Sequence, residues 1–406
     1  MPTSRFFKDR TICLGVCGSI AAHRALDVAS ALVAEGAEVH VLMTAAARRF
    51  VAPLPFEAIT GQPVTTDLFE TREAVPHIEL AAKAELLCIA PATATTIARL
   101  ASGTAEDPLC AVYLATKGRV LLCPAMNTNM WEHRQVQENL SRLRSAGVHV
   151  LPPAVGRLAC GVVGTGRLAP VAEIVENMRS LLSPKDLLGV KALITSGPTR
   201  EPLDDVRFLT NPSTGRMGHA LAQVGARRGA RVTLITGPVS LPDPRGVEVV
   251  RVKTAEEMQK AVEALFPGSD VLVMAAAVSD FRPAAPAPGK LPKEDLPRAV
   301  QMELCPDILA GAAASKAPRQ VVVGFAAEAQ DPVEHGFEKL RRKKLDLIVV
   351  NDITAEGAGF GVETNLVRII DPKGNSEELP LMHKELVSER IWDRILTLLL
   401  RGGERR

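Results

Sequence analysis

The chain has 406 residues, of which 47% are hydrophobic and 23% charged, and its formal net charge is +2 at pH 7. This length predicts two or three domains, each with its own hydrophobic core. The near-neutral charge and the aromatic content of only 3% argue against a nucleic-acid-binding protein with a stacking surface. No apolar run approaches the roughly 18 residues that a membrane helix needs, and the polar residues 1–10 predict no signal peptide.

The seven cysteines are scattered and include no C-x-x-C pair. An odd number at irregular spacing favours small buried thiols over a disulfide framework. This cysteine usage predicts a reducing, cytoplasmic setting.

Strands and helices alternate through the first 182 residues. The predicted strands are 11–17, 39–43, 85–90, 119–123 and 148–151, and the predicted helices are 21–35, 77–84, 92–101, 131–145 and 170–182. Such alternation predicts an α/β fold with a doubly wound parallel sheet, in which ligands bind beyond the carboxyl ends of the strands.

Three loops that follow predicted strands carry groups that can bind a ligand. Gly18-Ser19-Ile20 suits a phosphate or forms a simple turn. The hydroxyl-rich segment 91–98 can hold a phosphate, or Thr93 can act only as a helix N-cap. Asn127 and Asn129, at the end of another strand, suit a carboxylate or an amide, with a plain N-cap as the alternative.

Two further features of this half contain candidate catalytic residues. His77 lies at the start of a predicted helix, where a structural role is the alternative to catalysis. The stretch 156–168 has four glycines and contains Cys160, a composition that predicts neither a good helix nor a good strand. We interpret it as a flap with a reactive thiol, the alternative being a surface turn with an incidental cysteine.

A second α/β unit follows the predicted linker at 183–188. It opens with the stretch 191–218, which predicts a strand, a polar loop and a helix that begins near Gly215. Free backbone N–H groups and the helix dipole make such a helix start a binding site for anions. The loop is neither a Walker A sequence nor G-x-G-x-x-G, so the motif by itself is weakly specific.

Charged side chains of this second unit are candidates for nucleotide binding. Asp280, at the end of the apolar strand 270–277, can bind a ribose hydroxyl or a metal ion. Lys290 and Lys293, on a proline-rich loop, can neutralise phosphates as point charges. Lys339 and Lys343 share one helix face and can do the same, with a solvated basic face as the alternative.

Motifs in the first half resemble the flavin-dependent phosphopantothenoylcysteine decarboxylases. The motifs are Gly18-Ser-Ile, His77-Ile-Glu-Leu, Pro91-Ala-Thr-Ala, Pro124-Ala-Met-Asn and Ala159-Cys-Gly-Val-Val-Gly-Thr-Gly-Arg. Motifs in the second half are similar to phosphopantothenate–cysteine ligase, namely Thr195-Ser-Gly-Pro-Thr-Arg-Glu-Pro, Arg207, Asn211-Pro-Ser-Thr-Gly-Arg-Met-Gly, Ala275-Ala-Ala-Val-Ser-Asp-Phe-Arg-Pro and Lys290. Together they resemble the bacterial bifunctional enzymes of coenzyme A synthesis over about residues 10–400. Thr95, Pro108 and Pro292 depart from the family pattern.

For residues 1–182, the resemblance implies a flavodoxin-like decarboxylase domain that binds FMN. His77 matches the base or flavin-activating position, Asn127 the group that holds the substrate carboxylate, and Cys160 the proton donor on the flap. The flavin is implied to supply the electron sink for loss of carbon dioxide. The matching flavin contacts are Gly18, Ser19, Ile20, Thr44, Ala92, Thr93, Thr96 and Met126.

For residues 189–406, the resemblance implies a Rossmann-like ligase domain. Phosphopantothenate reacts with CTP to give an acyl-cytidylate, from which the amine of cysteine displaces CMP. Lys290 matches the cation that stabilises this transition state, with Mg²⁺ on the phosphates and Asp280 as a candidate ligand. Asn211 matches the residue at the acyl intermediate, and the substrate positions are Arg207, Asn211 and Ala276. The matching nucleotide contacts are Met274, Ala275, Ala276, Asp280, Lys290, Pro306, Asp307, Ile308, Leu309, Phe325, Lys339 and Lys343.

The resemblance also implies a homo-oligomer, a dodecamer built from decarboxylase trimers and ligase dimers. Two other function classes compete with this interpretation. Some relatives of the decarboxylase fold are regulatory proteins that bind flavin without catalysis, but His77, Asn127 and Cys160 are all present here. A nicotinamide dehydrogenase would carry G-x-G-x-x-G in the first loop, which this chain lacks.

Overall fold

The computed structural model describes residues 5–69, 76–159, 161–295, 299–328, 332–352, 355, 357–359 and 361–403. These residues separate into two compact units, residues 5–183 (the N-terminal unit) and residues 184–403 (the C-terminal unit). No helix among the described residues is long and apolar enough to span a membrane.

The N-terminal unit is built on a five-stranded parallel sheet. Its strands are β1 (Thr11–Val16), β2 (Glu38–Met43), β3 (Leu86–Ala92), β4 (Arg119–Pro124) and β5 (His149–Val150), in the order β2-β1-β3-β4-β5. This is the flavodoxin-like strand order. The helices are α1 (Arg24–Ala34), α2 (Leu54–Thr60), α3 (Pro76–Lys83), α4 (Ala94–Ser102), α5 (Pro108–Ala115), α6 (Thr128–Glu132), α7 (Arg134–Ser145) and α8 (Val171–Leu182).

Successive strand residues alternate between two apolar clusters, one on each face of this sheet. Leu14 packs in the cluster that includes residues of α1 and α8, whereas Cys13 packs with residues of α4, α5 and α7. The predicted doubly wound α/β fold is therefore confirmed for this unit.

The glycine-rich stretch 156–168 forms strands, contrary to our prediction. β6 (Ala154–Arg157) and β7 (Val163–Arg167) pair antiparallel as an isolated two-stranded hairpin. The glycines fit because the hairpin lies against another loop. A Cβ on Gly166 would lie 2.1 Å from the backbone oxygen of Met126, and one on Gly164 would lie 2.4 Å from the Thr128 hydroxyl. Close backbone approach of this kind requires glycine even within a strand.

The C-terminal unit contains an eight-stranded sheet and two short hairpins. The strands are β8 (Lys191–Ser196), β9 (Arg200–Pro202), β10 (Phe208–Thr210), β11 (Arg231–Thr236), β12 (Glu248–Arg251), β13 (Val271–Met274), β14 (Phe281–Pro283), β15 (Met302–Leu304), β16 (Val321–Glu328), β17 (Leu347–Asp352), β18 (Thr364–Ile370) and β19 (Ser376–His383). The helices are α9 (Arg216–Arg227), α10 (Ala255–Leu265), α11 (Ile308–Ser315), α12 (Pro332–Arg342) and α13 (Lys384–Gly403).

The large sheet has the order β12-β11-β8-β13-β16-β17-β18-β19, parallel up to β17 and antiparallel beyond it. Counted from β8, the first six strands follow the Rossmann order 3-2-1-4-5-6, which reverses between β8 and β13. Ligands of such sheets bind at this reversal, beyond the carboxyl ends of the strands. The hairpins β9–β10 and β14–β15 follow β8 and β13 in the chain and were not predicted, because strands of three residues show no periodicity.

Candidate functional site

A cavity of about 720 Å³ opens in the C-terminal unit at the carboxyl ends of the parallel strands (the C-terminal cavity). Its wall includes residues that follow β8, β13 and β16, so it lies where the Rossmann order reverses. A cavity of this size and position is typical of a nucleotide or a similar small molecule.

Nearly all of the predicted nucleotide residues line this one cavity. They are Met274, Ala275, Ala276, Asp280, Pro306, Asp307, Ile308, Leu309, Phe325, Lys339 and Lys343. The predicted substrate residue Asn211 lines the same cavity. Arg207 and Lys290 are not among its lining residues.

The start of α9 faces the C-terminal cavity through tightly packed glycines. Gly215, the N-cap, has φ +77° and lines the cavity together with Gly218. A Cβ on Gly218 would lie 2.5 Å from the Ser196 side chain, and the Ser196 hydroxyl donates a 2.9 Å hydrogen bond to the Gly215 carbonyl. The buried His219 ring nitrogen Nδ1 lies 2.9 Å from that hydroxyl. These contacts fix the first turn of α9, whose N–H groups favour an anion.

Asn211 is held by the loop that follows β13. Its amide nitrogen donates to the backbone oxygens of Ala277 at 3.1 Å and Val278 at 3.3 Å. This contact joins the β8–α9 loop to the β13 loop at the wall of the cavity.

Two lysines in and just after α12, Lys339 and Lys343, also line the C-terminal cavity. The Lys343 ammonium is 2.7 Å from the carboxylate of Asp307, the N-cap of α11. Burial, the largest single influence, would raise the pKa of Asp307, but the hydrogen bonds from Lys343 and the Ala310 N–H and the charges of Lys343 and Lys339 together outweigh it, and the net pKa is lowered. Asp307 is therefore ionised at neutral pH and orients Lys343 at the cavity wall.

Four charged or amide-bearing residues of the C-terminal cavity were not among the predicted site residues. Arg216, Asn351, Asn365 and Lys384 all line it. Arg216 Nε, Asn351 Oδ1 and Asn365 Oδ1 are buried without a hydrogen-bond partner among the described residues. Buried polar atoms normally have partners, so these atoms indicate ligand contacts. The position of Asn351 at the end of an apolar strand was an available signal, whereas Lys384 is brought in only by the tertiary fold.

A second cavity, of about 630 Å³, lies in the N-terminal unit (the N-terminal cavity). The predicted flavin residues that line it are Gly18, Ser19, Thr44, Thr93, Thr96 and Met126. Ile20 is exposed and Ala92 is buried in β3, and neither lines the cavity. Further lining residues that sequence reasoning had not assigned to the flavin include Thr95, Arg99, Glu106, Asp107 and Met130.

Three hydroxyl groups in loops that line the N-terminal cavity accept hydrogen bonds from backbone N–H groups. Ser19 accepts a bond from the N–H of Ala21 at 3.3 Å, and Thr93 accepts one from Thr96 at 3.3 Å. Thr44 accepts one from Ala47 at 3.2 Å. The N-cap alternative for Thr93 is therefore correct as local structure, and the same residue also lines the cavity.

Arg99 gives the N-terminal cavity its cationic group. Its guanidinium is 3.3 Å from both Glu106 and Asp107. Asp107 is the N-cap of α5 and also accepts the N–H of Cys110 at 2.9 Å. The ion pairs hold Arg99 in place at the cavity wall.

Two of the predicted decarboxylation residues, His77 and Asn127, do not line the N-terminal cavity. His77 lies on α3, and its Nδ1 is buried with no hydrogen-bond partner among the described residues. Asn127 caps α6 by accepting the N–H of Asn129 at 2.9 Å. Cys160 lies outside the described residues. The adjoining hairpin does contact the Asn127 loop, since Met126 N–H donates to Gly166 at 2.9 Å.

Comparison with known proteins assigns a family to each unit. Residues 2–183 match the flavoprotein family, and residues 187–399 match the DNA/pantothenate metabolism flavoprotein C-terminal domain. The coenzyme A biosynthesis bifunctional protein CoaBC of Bacillus subtilis (strain 168) is 43% identical over 403 residues, which are 98% of this chain and 99% of the relative.

The chain belongs to the coenzyme A biosynthesis bifunctional protein family. A second family member, from Vibrio vulnificus (strain YJ016), is 42% identical over 96% of this chain and 98% of its own length. The crystal structure of the C-terminal domain of a CoaBC protein matches 53% of this chain and 99% of its own, at 36% identity and a TM-score of 0.46.

The N-terminal cavity fits the flavin that membership of the flavoprotein family implies. Its volume lies within the roughly 300–1,000 Å³ of ordinary ligand sites. Hydroxyls of Ser19, Thr93 and Thr96 and the Arg99 cation suit the phosphate and the polar ring edge of FMN, and Met126 supplies an apolar surface. No group of three metal-ligating side chains occurs among the described residues.

Proposed function

We propose that the chain catalyses two consecutive steps of coenzyme A synthesis. The C-terminal unit joins 4'-phosphopantothenate to cysteine at the expense of CTP, through an acyl-cytidylate. The N-terminal unit then decarboxylates phosphopantothenoylcysteine to 4'-phosphopantetheine with FMN. The observation that carries this proposal is the presence of a ligand-sized cavity among the described residues of each unit, in a chain that matches both families along its length.

The charges around the C-terminal cavity suit the activation of a carboxylate by a nucleotide. The α9 N-terminus, Lys339, Lys343 and Arg216 provide positive potential where a triphosphate would bind. We assign Mg²⁺ to the nucleotide phosphates, with Asp280 as its protein ligand, because Mg²⁺ commonly binds through one or two carboxylates plus phosphates. Lys290 stabilises the charge that shifts as pyrophosphate leaves.

Asn211 is proposed to hold the acyl intermediate. Its position between the β8–α9 loop and Ala277 supports this role, because it lies at the cavity wall beside both loops. Arg207 is proposed to bind the anionic end of phosphopantothenate. Preference for CTP over ATP follows from the family alone.

In the N-terminal unit, three side chains are proposed to bind the substrate and to transfer protons. When bound, FMN supplies the electron sink that loss of carbon dioxide requires. Asn127 is proposed to hold the substrate carboxylate, His77 to act as base, and Cys160 to return a proton. The contact between the 154–167 hairpin and the Asn127 loop supports closure of the flap over that carboxylate and exclusion of water.

The proposed assembly is a homo-oligomer, a dodecamer of decarboxylase trimers and ligase dimers. Exposed apolar side chains on the two small hairpins of the C-terminal unit support an interface there. Phe208 is 41% exposed, Phe281 49% and Leu304 73%. Patches of this kind favour protein contacts. The absence of His77 and Asn127 from the cavity lining suits a flavin site that another subunit completes. The proposed compartment is the cytoplasm, which the six free thiols among the described cysteines support.

Two full-length variants test the assignment of one reaction to each unit. Lys290→Gln should release no pyrophosphate from phosphopantothenate and CTP, yet still decarboxylate added phosphopantothenoylcysteine. His77→Asn should do the reverse and accumulate phosphopantothenoylcysteine. A protein that binds flavin but performs neither reaction would be a regulatory relative, and loss of both activities in either variant would contradict separate sites.

A further inference from the structure

Asp204 is a buried carboxylate in the turn between β9 and β10, with its side chain only 1% exposed. Its Oδ1 accepts the backbone N–H groups of Val206 at 2.8 Å and Arg207 at 2.6 Å. Its Oδ2 accepts a 2.8 Å bond from Arg207 Nη1. The bond from the Arg207 N–H is the main cause of a lowered pKa for Asp204, so the group is ionised at neutral pH.

The same turn holds the backbone on both sides of Lys290. Leu291 N–H donates to Asp204 Oδ2 at 3.4 Å, and the Arg207 guanidinium donates to the Leu291 carbonyl at 3.3 and 3.4 Å. On the other side, Asp205 N–H donates to the Gly289 carbonyl at 3.4 Å. Each of these bonds is long and individually weak, and the turn also accepts a 3.0 Å bond from the Ala287 N–H at the Leu203 carbonyl.

Lys290 itself is exposed and does not line the C-terminal cavity. Neither does Arg207. Arg207, which is proposed to bind substrate, and the segment that carries Lys290, which is proposed to stabilise the transition state, are thus joined through Asp204. This contact lies outside the cavity that the nucleotide residues line.

We propose that Asp204 is a positioning residue for the ligation reaction, which couples the Arg207 guanidinium to the segment that carries Lys290. The proposal rests on the proposed function of the C-terminal unit. Asp204 touches no reacting atom. It holds the guanidinium of Arg207 and the peptide groups beside Lys290. The proposed substrate-binding arginine and the proposed catalytic lysine are therefore positioned together.

The alternative is that Asp204 only stabilises the β9–β10 turn. An asparagine substitution distinguishes this local role from the proposed coupling of Arg207 to the Lys290 segment. Asparagine at 204 keeps a carbonyl oxygen for the N–H groups of Val206 and Arg207, and so keeps the turn. Its amide NH₂ cannot accept bonds from the Arg207 guanidinium or the Leu291 N–H. Asp204→Asn therefore removes the coupling while the turn remains.

The test compares full-length Asp204→Asn with Asp205→Asn, an exposed neighbour with the same change of charge. The first readout is trypsin cleavage of the Lys290–Leu291 bond in the unliganded protein, followed by mass spectrometry. Cleavage should be several-fold faster in Asp204→Asn and unchanged in Asp205→Asn. The second readout is pyrophosphate release from phosphopantothenate and CTP without cysteine. In Asp204→Asn, KM for phosphopantothenate should rise and kcat should fall by up to about 100-fold, the cost of a misplaced catalytic group.

Flavin content and decarboxylation of added phosphopantothenoylcysteine should match wild type in both variants. Unchanged cleavage at Lys290, or faster cleavage with wild-type pyrophosphate release, would overturn the proposal. If Asp204→Asn does not fold, Arg207→Lys must show the faster cleavage, because lysine cannot bridge Asp204 and Leu291 as a fork. Failure of wild-type protein to release pyrophosphate would refute the proposed function instead, and the cleavage readout would still report the Asp204 contact.

Discussion

The Lys384 ammonium donates a 3.1 Å hydrogen bond to the backbone carbonyl of Gly359, and both residues line the C-terminal cavity. Burial lowers the pKa of Lys384 to about 8. Its neighbourhood contains Glu363, which favours the charged form, and Arg216, which opposes it. Lys384 is therefore a cation at neutral pH that loses its charge in mildly alkaline solution.

This titration predicts a pH dependence of nucleotide binding in the unmodified protein. Lys384 is charged below about pH 8 and neutral above it, so its attraction for the phosphates is lost as the pH rises from 7 to 9. We expect the affinity for CTP to fall by roughly tenfold over this range, an energy of about 1.4 kcal/mol. Calorimetric titrations at constant ionic strength measure it.

Lys384→Met is the matched variant for that measurement. It should bind CTP more weakly than wild type at pH 7, show a flatter pH dependence, and converge with wild type at pH 9. If the affinity for CTP changes equally with pH in the two proteins, a group other than Lys384 causes the pH dependence.

Gly18→Ala should weaken flavin binding. A Cβ at this position would lie 2.5 Å from the Cβ of Ala46 and 2.9 Å from its backbone carbon, so the two loops at the cavity would separate. Overpacking of this kind costs about 1–3 kcal/mol, or roughly 5- to 150-fold in affinity if the flavin-binding conformation bears all of it. Absorbance of bound flavin at a series of FMN concentrations gives the result.

The control is Gly156→Ala, in the same unit, where the nearest neighbour of an added Cβ is Arg167 at an ordinary 3.5 Å. It should retain flavin like wild type. If both variants keep the same affinity, Gly18 is not part of the flavin site.

Arg228→Met should destabilise the C-terminal unit. The Arg228 side chain is 3% exposed and forms ion pairs with Asp186 at 2.7 Å, Asp393 at 2.7 Å and Glu389 at 3.3 Å. Removing one member of a fully buried ionic group typically costs about 3–5 kcal/mol. Because the three carboxylates here are 24–51% exposed and screened by solvent, we expect a smaller loss, of about 1–3 kcal/mol. Urea unfolding followed by tryptophan fluorescence should show this loss when Trp131→Phe is present in all compared proteins, which leaves the buried Trp392 as the reporter.

Arg231→Met, at the exposed start of β11, is the comparison for Arg228. Its unfolding free energy should stay within about 0.5 kcal/mol of wild type, as for most surface changes. Equal stability of the two variants would mean that the Arg228 ion pairs contribute nothing net.

The order of the longer strands and helices was predictable because apolar runs and glycine or proline breaks are local signals, whereas the short helices α2 and α5 were not predicted. The start of α9 near Gly215 was found in this way. The hairpin at 154–167 was not, because its strands depend on contact with Met126 and Thr128, which composition does not reveal. The same holds for Lys384, which lies more than 160 residues beyond the Gly215 turn in sequence and reaches the cavity only when α13 packs on α9.

Some residues of the candidate sites could be located from the sequence, and others could not. Residues in the loops that follow β8 and β13, such as Asn211 and Asp280, line the C-terminal cavity because parallel strands bring these loops to the same edge of the sheet. His77 does not line the N-terminal cavity and Lys290 does not line the C-terminal cavity, because loop conformation, which residue order alone does not give, places them elsewhere. Their roles stay predictions.

The proposed function requires that one chain performs both reactions in sequence. The direct measurement is a mass-spectrometric time course with purified full-length protein, phosphopantothenate, cysteine, CTP, Mg²⁺ and FMN. We expect phosphopantothenoylcysteine to appear first and 4'-phosphopantetheine to follow, with one pyrophosphate per molecule, and no product when cysteine or CTP is left out. Persistence of phosphopantothenate in the complete mixture, or accumulation of phosphopantothenoylcysteine that is never decarboxylated by flavin-loaded protein, would contradict it.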